Sequence, residues 1–334
     1  MSDHRFKVDL RGLVDLLSHH LYSSPRVYVR ELMQNAVDAL TARRALDAAA
    51  PARVVLVPAD VAADGRLHCF DTGVGLTADE VERFLATIGS SSKRDDFGFA
   101  RTDFLGQFGI GLLSCFLVSD EITVFSRSAR GGDAVLWQGS SDGSYRMEQL
   151  DDAAAAAAVA QLPLPGWPGD EAGTRVALRP RPGLQDWTGR VQVEALAAEY
   201  GRMLPWQVEV VTGRDGDPLV DPLDDPLVTH RVSATSRPWD VPGGVVAARE
   251  ELEGLAGVRA LAVLPVTVPE AGLTGAALVL DAPSAATARQ SHRVYAKGML
   301  VGAGIEGLLP DWAFFVRCVV DADNLRLTAS REAL

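Results

Sequence analysis

The first part of the chain alternates between apolar patterns typical of helices and patterns typical of strands. Apolar side chains recur at helical spacing over 9–22 and again over 28–49, which predicts two consecutive helices. Short continuous apolar runs at 53–57 and 66–70 predict two buried strands. The segment 77–80 has the residue spacing of a capping box and predicts the start of another helix.

Further along, the same patterns predict one more helix, over 110–118, and a series of strands. The expected strands or buried segments lie at 121–127, 134–138, 174–178, 258–268, 276–281, 292–302 and 312–322. The charged, Gly- and Ser-rich segment 89–105 predicts a mobile loop. A run of six alanines at 153–158 begins a low-complexity insertion that we expect at the surface.

A shift in composition toward Gly, Pro and Asp at 213–227 predicts a boundary between two domains. We expect an N-terminal domain over 1–212, a linker over 213–232 and a second domain over 233–334. The chain stops at Leu334, just after a serine that would be a good helix N-cap. We therefore expect the second domain to be truncated.

Charge and cysteine content narrow the classes of protein and partner. The net charge of −12 argues against broad binding to nucleic acid or to anionic membranes. Three widely spaced cysteines without a CxxC pair indicate neither a disulfide framework nor a zinc module. The N-terminus has no apolar signal-peptide core, and no run of 18 apolar residues follows, so we expect a cytoplasmic protein.

Three polar residues share one narrow stripe of the otherwise apolar helix over 28–40. At 100° per residue, Asn35 lies about 40° from Glu31, and Asp38 lies about 20° away on the other side. Such a stripe can be an ordinary solvated helix face. It can also be the floor of a binding site, because every other face of the helix is apolar.

Three glycine-containing elements follow, each of which is a weak signal alone. The sequence 71-DTGVG-75 places Asp71 at the end of a strand, before two glycines that permit close backbone approach. The sequence 106-GQFGIG-111 precedes an apolar helix, where backbone N–H groups form an anion site. The strand 173–178 begins with Gly-Thr, and the Thr174 hydroxyl could assist Asp71. No GxxxxGK[ST] pattern occurs, which excludes a P-loop, and the glycines lack the Rossmann order.

Taken together and in this order, the patterns ExxxNxxDA, DxGxG, GxxGxG and GT resemble the nucleotide-binding motifs of the GHKL ATPases. The segments 21–40, 85–93 and 105–120 are similar to those around the same motifs in the ninety-kilodalton heat-shock chaperones. The segments 292–301 and 323–334 resemble the start of the middle domain of that chaperone family. The resemblance covers nearly the whole chain, apart from the Ala/Pro insertion and much of 180–255.

The resemblance implies Mg²⁺-dependent ATP hydrolysis with a role for each polar motif residue. Glu31 would be the general base that orients and deprotonates the attacking water. Asn35 would hold Mg²⁺, and Asp38 would support the site through water. Asp71 would accept a hydrogen bond from the adenine amino group, which favours ATP over GTP. Arg331 would reach the γ-phosphate from the second domain and stabilise charge in the transition state.

The remaining implied contacts to the nucleotide are mostly made by the backbone. Gly75 and Leu76 would line the adenine, Thr174 would assist Asp71, and residues 89–105 would form a lid over bound ATP. The implied phosphate-binding segment is Gly106, Gln107, Phe108, Gly109, Ile110, Gly111 and Leu112, of which the last three would donate N–H groups.

Four positions depart from the pattern of the family, namely Phe84, Ser90, Leu112 and Thr328. Ser90 stands where a basic residue near the nucleotide is frequent, and Thr328 replaces an asparagine before the Ser-Arg-Glu segment. These departures leave open a nucleotide-binding module with little hydrolysis. A GHKL ATPase that acts on DNA, of the mismatch-repair or topoisomerase type, also stays open, although the acidic charge disfavours it.

The family resemblance also implies the fold and the partners. The expected fold is an α+β sandwich in which helices cover one face of a mixed, mostly antiparallel sheet, followed by a partial αβ middle domain. The expected function is that of an ATP-dependent chaperone that uses a conformational clamp on unfolded client proteins. The expected partners are ATP, ADP and clients, without nucleic acid or membrane. A full-length form would be a homodimer, and this chain a monomer or a weak ATP-dependent dimer.

Overall fold

The computed structural model describes residues 24–85, 111–160, 171–214, 227–282 and 290–323. The chain divides into two compact units. The first comprises Met1–Ala197 with Trp206–Val232, and the second comprises Ala198–Pro205 with Ser233–Leu334.

An eight-stranded sheet forms the framework of the first unit. Its strands are β1 (Arg53–Val57), β2 (Leu67–Asp71), β3 (Ser119–Arg127), β4 (Ala134–Ser140), β5 (Tyr145–Leu150), β6 (Gly173–Pro180), β7 (Gln207–Arg214) and β8 (Leu227–Arg231). Their order across the sheet is β5-β4-β3-β6-β2-β1-β7-β8. Among these described strands, β1 and β7 pair in parallel and all other neighbours pair antiparallel. The expected mixed, mostly antiparallel sheet is therefore confirmed.

Helices pack on this sheet, and the longest of those described carries Glu31, Asn35 and Asp38. The described α-helices that lie in or begin in the first unit are α1 (Val27–Leu46), α2 (Ala78–Leu85), α3 (Asp152–Ala160), α4 (Gln185–Thr188) and α5 (Arg190–Gly201), the last of which ends in the second unit. The long helix α1 packs against β1, β2 and β6, and also against a short 3₁₀-helix at Gly111–Leu117. Because it is buried by these neighbours on most sides, α1 belongs to the core as well as to the polar site.

Several local predictions are confirmed, and several are corrected. The capping box of α2 is present, since Glu80 Oε2 accepts a hydrogen bond from the Thr77 N–H at 2.8 Å and the Glu80 N–H points to Thr77 Oγ1 at 3.4 Å.

Helix α1 ends at Leu46, earlier than expected, because Asp47 adopts an extended conformation. The apolar helix expected over 110–118 is a 3₁₀-helix in its described part. The alanine run forms α3, which is largely exposed and packs through Ala155 next to Phe125.

The second unit is built on a smaller sheet of five strands. These are β9 (Ala260–Val268), β10 (Leu273–Leu280), β11 (His292–Ala296), β12 (Met299–Ile305) and β13 (Val316–Ala322), in the order β12-β11-β13-β10-β9. Two helices, α6 (Gly244–Ala247) and α7 (Arg249–Ala256), pack against it. The segment 292–302, predicted as one apolar stretch, is a hairpin that turns at Lys297 and Gly298, both at positive φ.

A buried carboxylate anchors the end of β13 in the second unit. Asp321 is almost fully buried, accepts a hydrogen bond from the Gly298 N–H at 3.0 Å and pairs with Arg237 at 2.7 Å. These contacts join the hairpin turn to the last described strand. Among the described helices of both units, none has the length and apolar character needed to cross a membrane.

Candidate functional site

The stripe on α1 is not a solvated face, because its two acids are buried. Glu31 is 2% exposed and Asp38 is 3% exposed, whereas Asn35 between them is exposed. Carboxylates are almost never this buried unless they are paired or serve a site. The arrangement favours the second interpretation of the stripe, in which α1 is the floor of a site and presents Asn35 at its open side.

Glu31 lies at the meeting point of α1 and the 3₁₀-helix. Its Oε1 is 3.5 Å from Nη2 of Arg30, which is also buried. A Cβ added at Gly111 would overlap Oε2 of Glu31, so a larger residue at this position would displace the carboxylate from where it lies. Burial and the nearby Glu31 carboxylate also raise the pKa of the Cys115 thiol. The last motif glycine of 106–111 is thereby placed directly against the predicted base.

Asp71 ends β2 and turns its carboxylate back on the loop that follows. Its Oδ1 accepts a hydrogen bond from the Gly73 N–H at 2.9 Å, and the Thr174 N–H also donates to the carboxylate. Thr174 lies opposite Asp71 in the pairing of β2 with β6. Burial raises the pKa of Asp71 to about 7, although these two hydrogen bonds lower it. A carboxylate this buried has a strong preference for a donor that can satisfy its remaining lone pairs.

The loop after Asp71 is clamped between α1 and the start of the segment after β3. The Val74 N–H donates to the Ala39 carbonyl at 3.0 Å, and the Ala129 N–H donates to the Val74 carbonyl at 2.8 Å. A Cβ at Gly73 would overlap Ala39 of α1. The loop therefore lies flat on the helix floor, with its backbone fixed on both sides.

Gly75 is held by two independent constraints. Its φ is +65°, and a Cβ there would overlap the carbonyl oxygen of Arg127. Gly65 has nearly the same φ, +66°, but a Cβ there would meet open space. A substitution at Gly65 would therefore measure the free-energy cost of the left-handed conformation alone. A substitution at Gly75 would add the cost of the steric overlap with Arg127.

We expect Gly75→Ala to lower the free energy of unfolding of the first unit by about 3 kcal/mol, and Gly65→Ala by only about 1 kcal/mol. The first substitution adds a steric overlap with backbone to the conformational cost that both share. Urea denaturation of the two variants, followed by circular dichroism, measures the difference. Equal losses would show that Arg127 does not constrain Gly75.

The buried hydroxyl of Ser126, which the sequence analysis does not predict as a site residue, forms hydrogen bonds with two of the motif segments. Ser126 Oγ accepts a hydrogen bond from the Leu76 N–H at 2.8 Å and lies 2.8 Å from the Thr174 hydroxyl. Leu76 and Thr174 are both half-buried. Nothing in the local sequence marks Ser126, since only the register of β3 against β6 brings it to this position.

Some of the predicted site residues lie outside the described part of the chain. These are Gly106, Gln107, Phe108, Gly109, Ile110 and Arg331, together with the lid over 89–105 and the departures Ser90 and Thr328. Of the phosphate-binding segment, the described part contains Gly111 and Leu112, which begin the 3₁₀-helix and are half-buried.

The described motif residues therefore converge through direct contacts. Glu31 lies against Gly111, Ala39 lies against Gly73, and Asp71 bonds to Thr174. Three segments that are distant in sequence thus meet around α1. The result is a floor with buried acids, a rigid glycine loop and the start of a 3₁₀-helix beside it, which suits a small polar ligand that donates a hydrogen bond to Asp71.

The described part of the chain offers few side chains that could act together as metal ligands. Within the described ranges, no group of three or more His, Cys, Asp or Glu side chains could hold a metal ion. The exposed amide of Asn35 fits a different mode, in which Mg²⁺ takes one protein oxygen and completes its shell with phosphates and water.

Comparison with known proteins finds relatives along nearly the whole chain. A chaperone protein HtpG from Chlorobium luteolum is 26% identical over 99% of this chain and 52% of its own length. Chaperone proteins HtpG from Mycolicibacterium vanbaalenii and Streptomyces coelicolor are 27% and 28% identical over 98% of this chain and 53% of their own lengths. No family model matches the chain.

These relatives confirm the resemblance to the ninety-kilodalton heat-shock chaperones that the motifs indicate. The chain spans about half the length of the curated relatives it matches. Membership of the wider GHKL superfamily stays a prediction.

Proposed function

We propose that the chain is the ATPase part of a chaperone of the heat-shock-ninety type. It would bind and hydrolyse ATP to drive a conformational clamp on unfolded client proteins. The observation that carries the proposal is the convergence of Glu31, Asp71, Thr174 and Gly111 around one helix. The similarity to chaperone proteins HtpG supports the same function.

Adenine recognition would depend on Asp71. The carboxylate already accepts two backbone N–H groups, and its remaining lone pairs suit the adenine amino group. GTP has a carbonyl at that position and would leave a buried carboxylate unsatisfied, so ATP would be preferred. The clamped backbone at Gly75 and Leu76 would line the base at low entropic cost, because it is already rigid.

Hydrolysis would depend on Glu31 beside the phosphate-binding segment. The contact of Glu31 with Gly111 supports this role, because Gly111 belongs to the segment whose backbone N–H groups would hold the phosphates. A water between them would be oriented and deprotonated by Glu31, with Asp38 buried two turns further along α1 as support. Asn35 would hold Mg²⁺, which supplies neutralisation of the phosphate charge.

The remaining parts of the proposal concern the whole protein. Residues 1–212 would be the ATPase domain, 213–232 the linker and 233–334 a partial middle domain. Arg331 would supply positive charge to the γ-phosphate, and a longer form would be a cytoplasmic homodimer. The last strand of the first sheet, β8, lies within the proposed linker, so the tether between the domains would be shorter than the sequence suggested.

A phosphate-release assay on the full chain tests the proposed activity. We expect slow turnover of ATP that requires Mg²⁺, is inhibited by ADP and is unchanged by added DNA. Protection of a denatured protein from aggregation tests the chaperone part. A DNA-stimulated rate would instead favour an ATPase that acts on DNA. Normal ATP binding without turnover would favour a nucleotide-binding module.

A further inference from the structure

Ser126 is a buried residue of β3 whose hydroxyl has three polar neighbours. It is 0% exposed and lies opposite Thr174 in the pairing of β3 with β6. Its Oγ is 2.8 Å from the Leu76 nitrogen, 3.2 Å from the Gly173 carbonyl oxygen and 2.8 Å from Thr174 Oγ1. All three neighbours belong to the motif segments 71–76 and 173–178.

The chemistry of these neighbours assigns each hydrogen. A serine hydroxyl has one proton to donate and two lone pairs that accept. The Leu76 N–H can only donate, so it takes one lone pair of Ser126. The Gly173 carbonyl can only accept, so it takes the Ser126 proton. The remaining lone pair of Ser126 is then available to Thr174, which must donate its own proton.

The consequence is a fixed polarity at Thr174. With its proton committed to Ser126, the Thr174 hydroxyl can only accept hydrogen bonds from a ligand. Its backbone N–H is directed at the Asp71 carboxylate, which is also an acceptor. Two acceptors therefore lie next to each other at the end of β2 and the start of β6, and a ligand must supply donors to both, directly or through water.

We propose that Ser126 is a specificity-determining positioning residue, which holds the Thr174 hydroxyl as an acceptor so that the site takes purines with a 6-amino group and rejects 6-keto purines. The inference rests on the proposed nucleotide site and adds to it. Without the Ser126 oxygen, the Thr174 hydroxyl is free to rotate and can donate to a 6-carbonyl group.

Ser126→Ala tests this polarity with ATP and inosine triphosphate as the two ligands. Inosine triphosphate has the same ribose and phosphates as ATP but carries a 6-carbonyl and an N1 proton. We expect Ser126→Ala to narrow the ratio of the two dissociation constants by about tenfold, the value of one hydrogen bond in a buried site. Competition against a fluorescent ATP analogue measures both constants in the full chain.

A serine at the other end of β3 provides the matched control. Ser119 is also 0% exposed, and its hydroxyl donates to the Glu121 carbonyl at 2.6 Å. Ser119→Ala removes a buried hydroxyl from the same strand and should leave the ratio at the wild-type value. If Ser126→Ala fails to fold, Thr174→Val removes the acceptor that Ser126 would hold in place, in a similar shape, and should narrow the ratio of the two dissociation constants as well.

The outcomes separate this inference from the proposed function. If wild type binds ATP but the ratio is the same in wild type and Ser126→Ala, then Ser126 is only structural and the inference is wrong. If wild type does not bind ATP, the proposed function falls and the inference falls with it. A ratio that narrows in Ser126→Ala but not in Ser119→Ala supports both.

Discussion

Glu31→Gln should lower the rate of ATP turnover by about 10²- to 10⁴-fold, the usual contribution of a general base. Glutamine has the shape of glutamate and can still contact Gly111, but it cannot take a proton from the attacking water. ATP affinity should stay within about threefold of wild type, because the substitution removes an interaction made mainly in the transition state. Phosphate release under saturating ATP measures the first quantity, and calorimetry measures the second.

Glu209→Gln is a suitable control for the loss of a buried carboxylate in the same unit. Glu209 lies on β7, is 8% exposed and pairs with Arg53 at 2.5 Å. Its substitution should lower stability and leave turnover per folded molecule unchanged. Turnover by Glu31→Gln within threefold of wild type would remove Glu31 from the role of base.

Asp71→Asn should weaken ATP binding by about 100-fold or more. The Gly73 and Thr174 N–H groups already donate hydrogen bonds to the Asp71 carboxylate. The adenine amine would be a third donor, so both carboxylate oxygens are needed as acceptors. An asparagine has one oxygen, so its amide NH₂ must face either a backbone N–H or the adenine amine. Asp142→Asn, in the turn between β4 and β5, changes an exposed acid and should leave the affinity unchanged. Similar affinities in wild type and Asp71→Asn would show that adenine does not bind at Asp71.

Asp71→Asn, which should weaken ATP binding, should make the folded state more stable relative to wild type as the pH rises. Burial raises the pKa of Asp71 to about 7, above its value of about 3.9 in an unfolded chain. The folded state therefore holds a proton that the unfolded state releases, and this contribution to stability is lost as the pH rises through 7. We expect the stability of Asp71→Asn relative to wild type to grow by about 2–4 kcal/mol between pH 4 and pH 8. Thermal or urea unfolding at both pH values measures the change.

The parts of the site that the sequence predicts are those encoded by local spacing. Glu31 and Asp38 share a stripe because both lie on one long helix, and helical geometry alone relates their positions. The capping box before α2 and the strand that ends at Asp71 are likewise local patterns. Each of these features lies within one helix or at one strand or helix end, so its position can be predicted from a short stretch of sequence.

The parts that the sequence does not predict depend on contacts between distant segments. Ser126 joins the site only through the register of β3 against β6, 47 residues away at its contact with Gly173. Glu31 is buried, and Gly111 contacts it from another element. Spacing along one strand or helix contains no information about either contact.

The two edge strands of the first sheet, β5 and β8, are not predicted from the sequence for a different reason. The strands β5 and β8 lie at the two edges of the first sheet and expose most of their side chains. An exposed edge strand lacks the apolar run that identifies a buried one, so the sequence of β8 predicts part of a linker. The polar side chains that protect an exposed edge strand from pairing with other chains also remove the apolar pattern by which a strand is predicted.

Calorimetric titration of ATP and GTP into the wild-type chain at pH 8, with Mg²⁺ and with EDTA, tests the central claim most directly. The account predicts saturable binding of ATP at one site per chain, stronger with Mg²⁺, and no detectable binding of GTP at the same concentrations. No heat from ATP in a sample that is folded by circular dichroism would contradict the account. The convergence of Glu31, Asp71 and Gly111 would then be a feature of the fold without a nucleotide function.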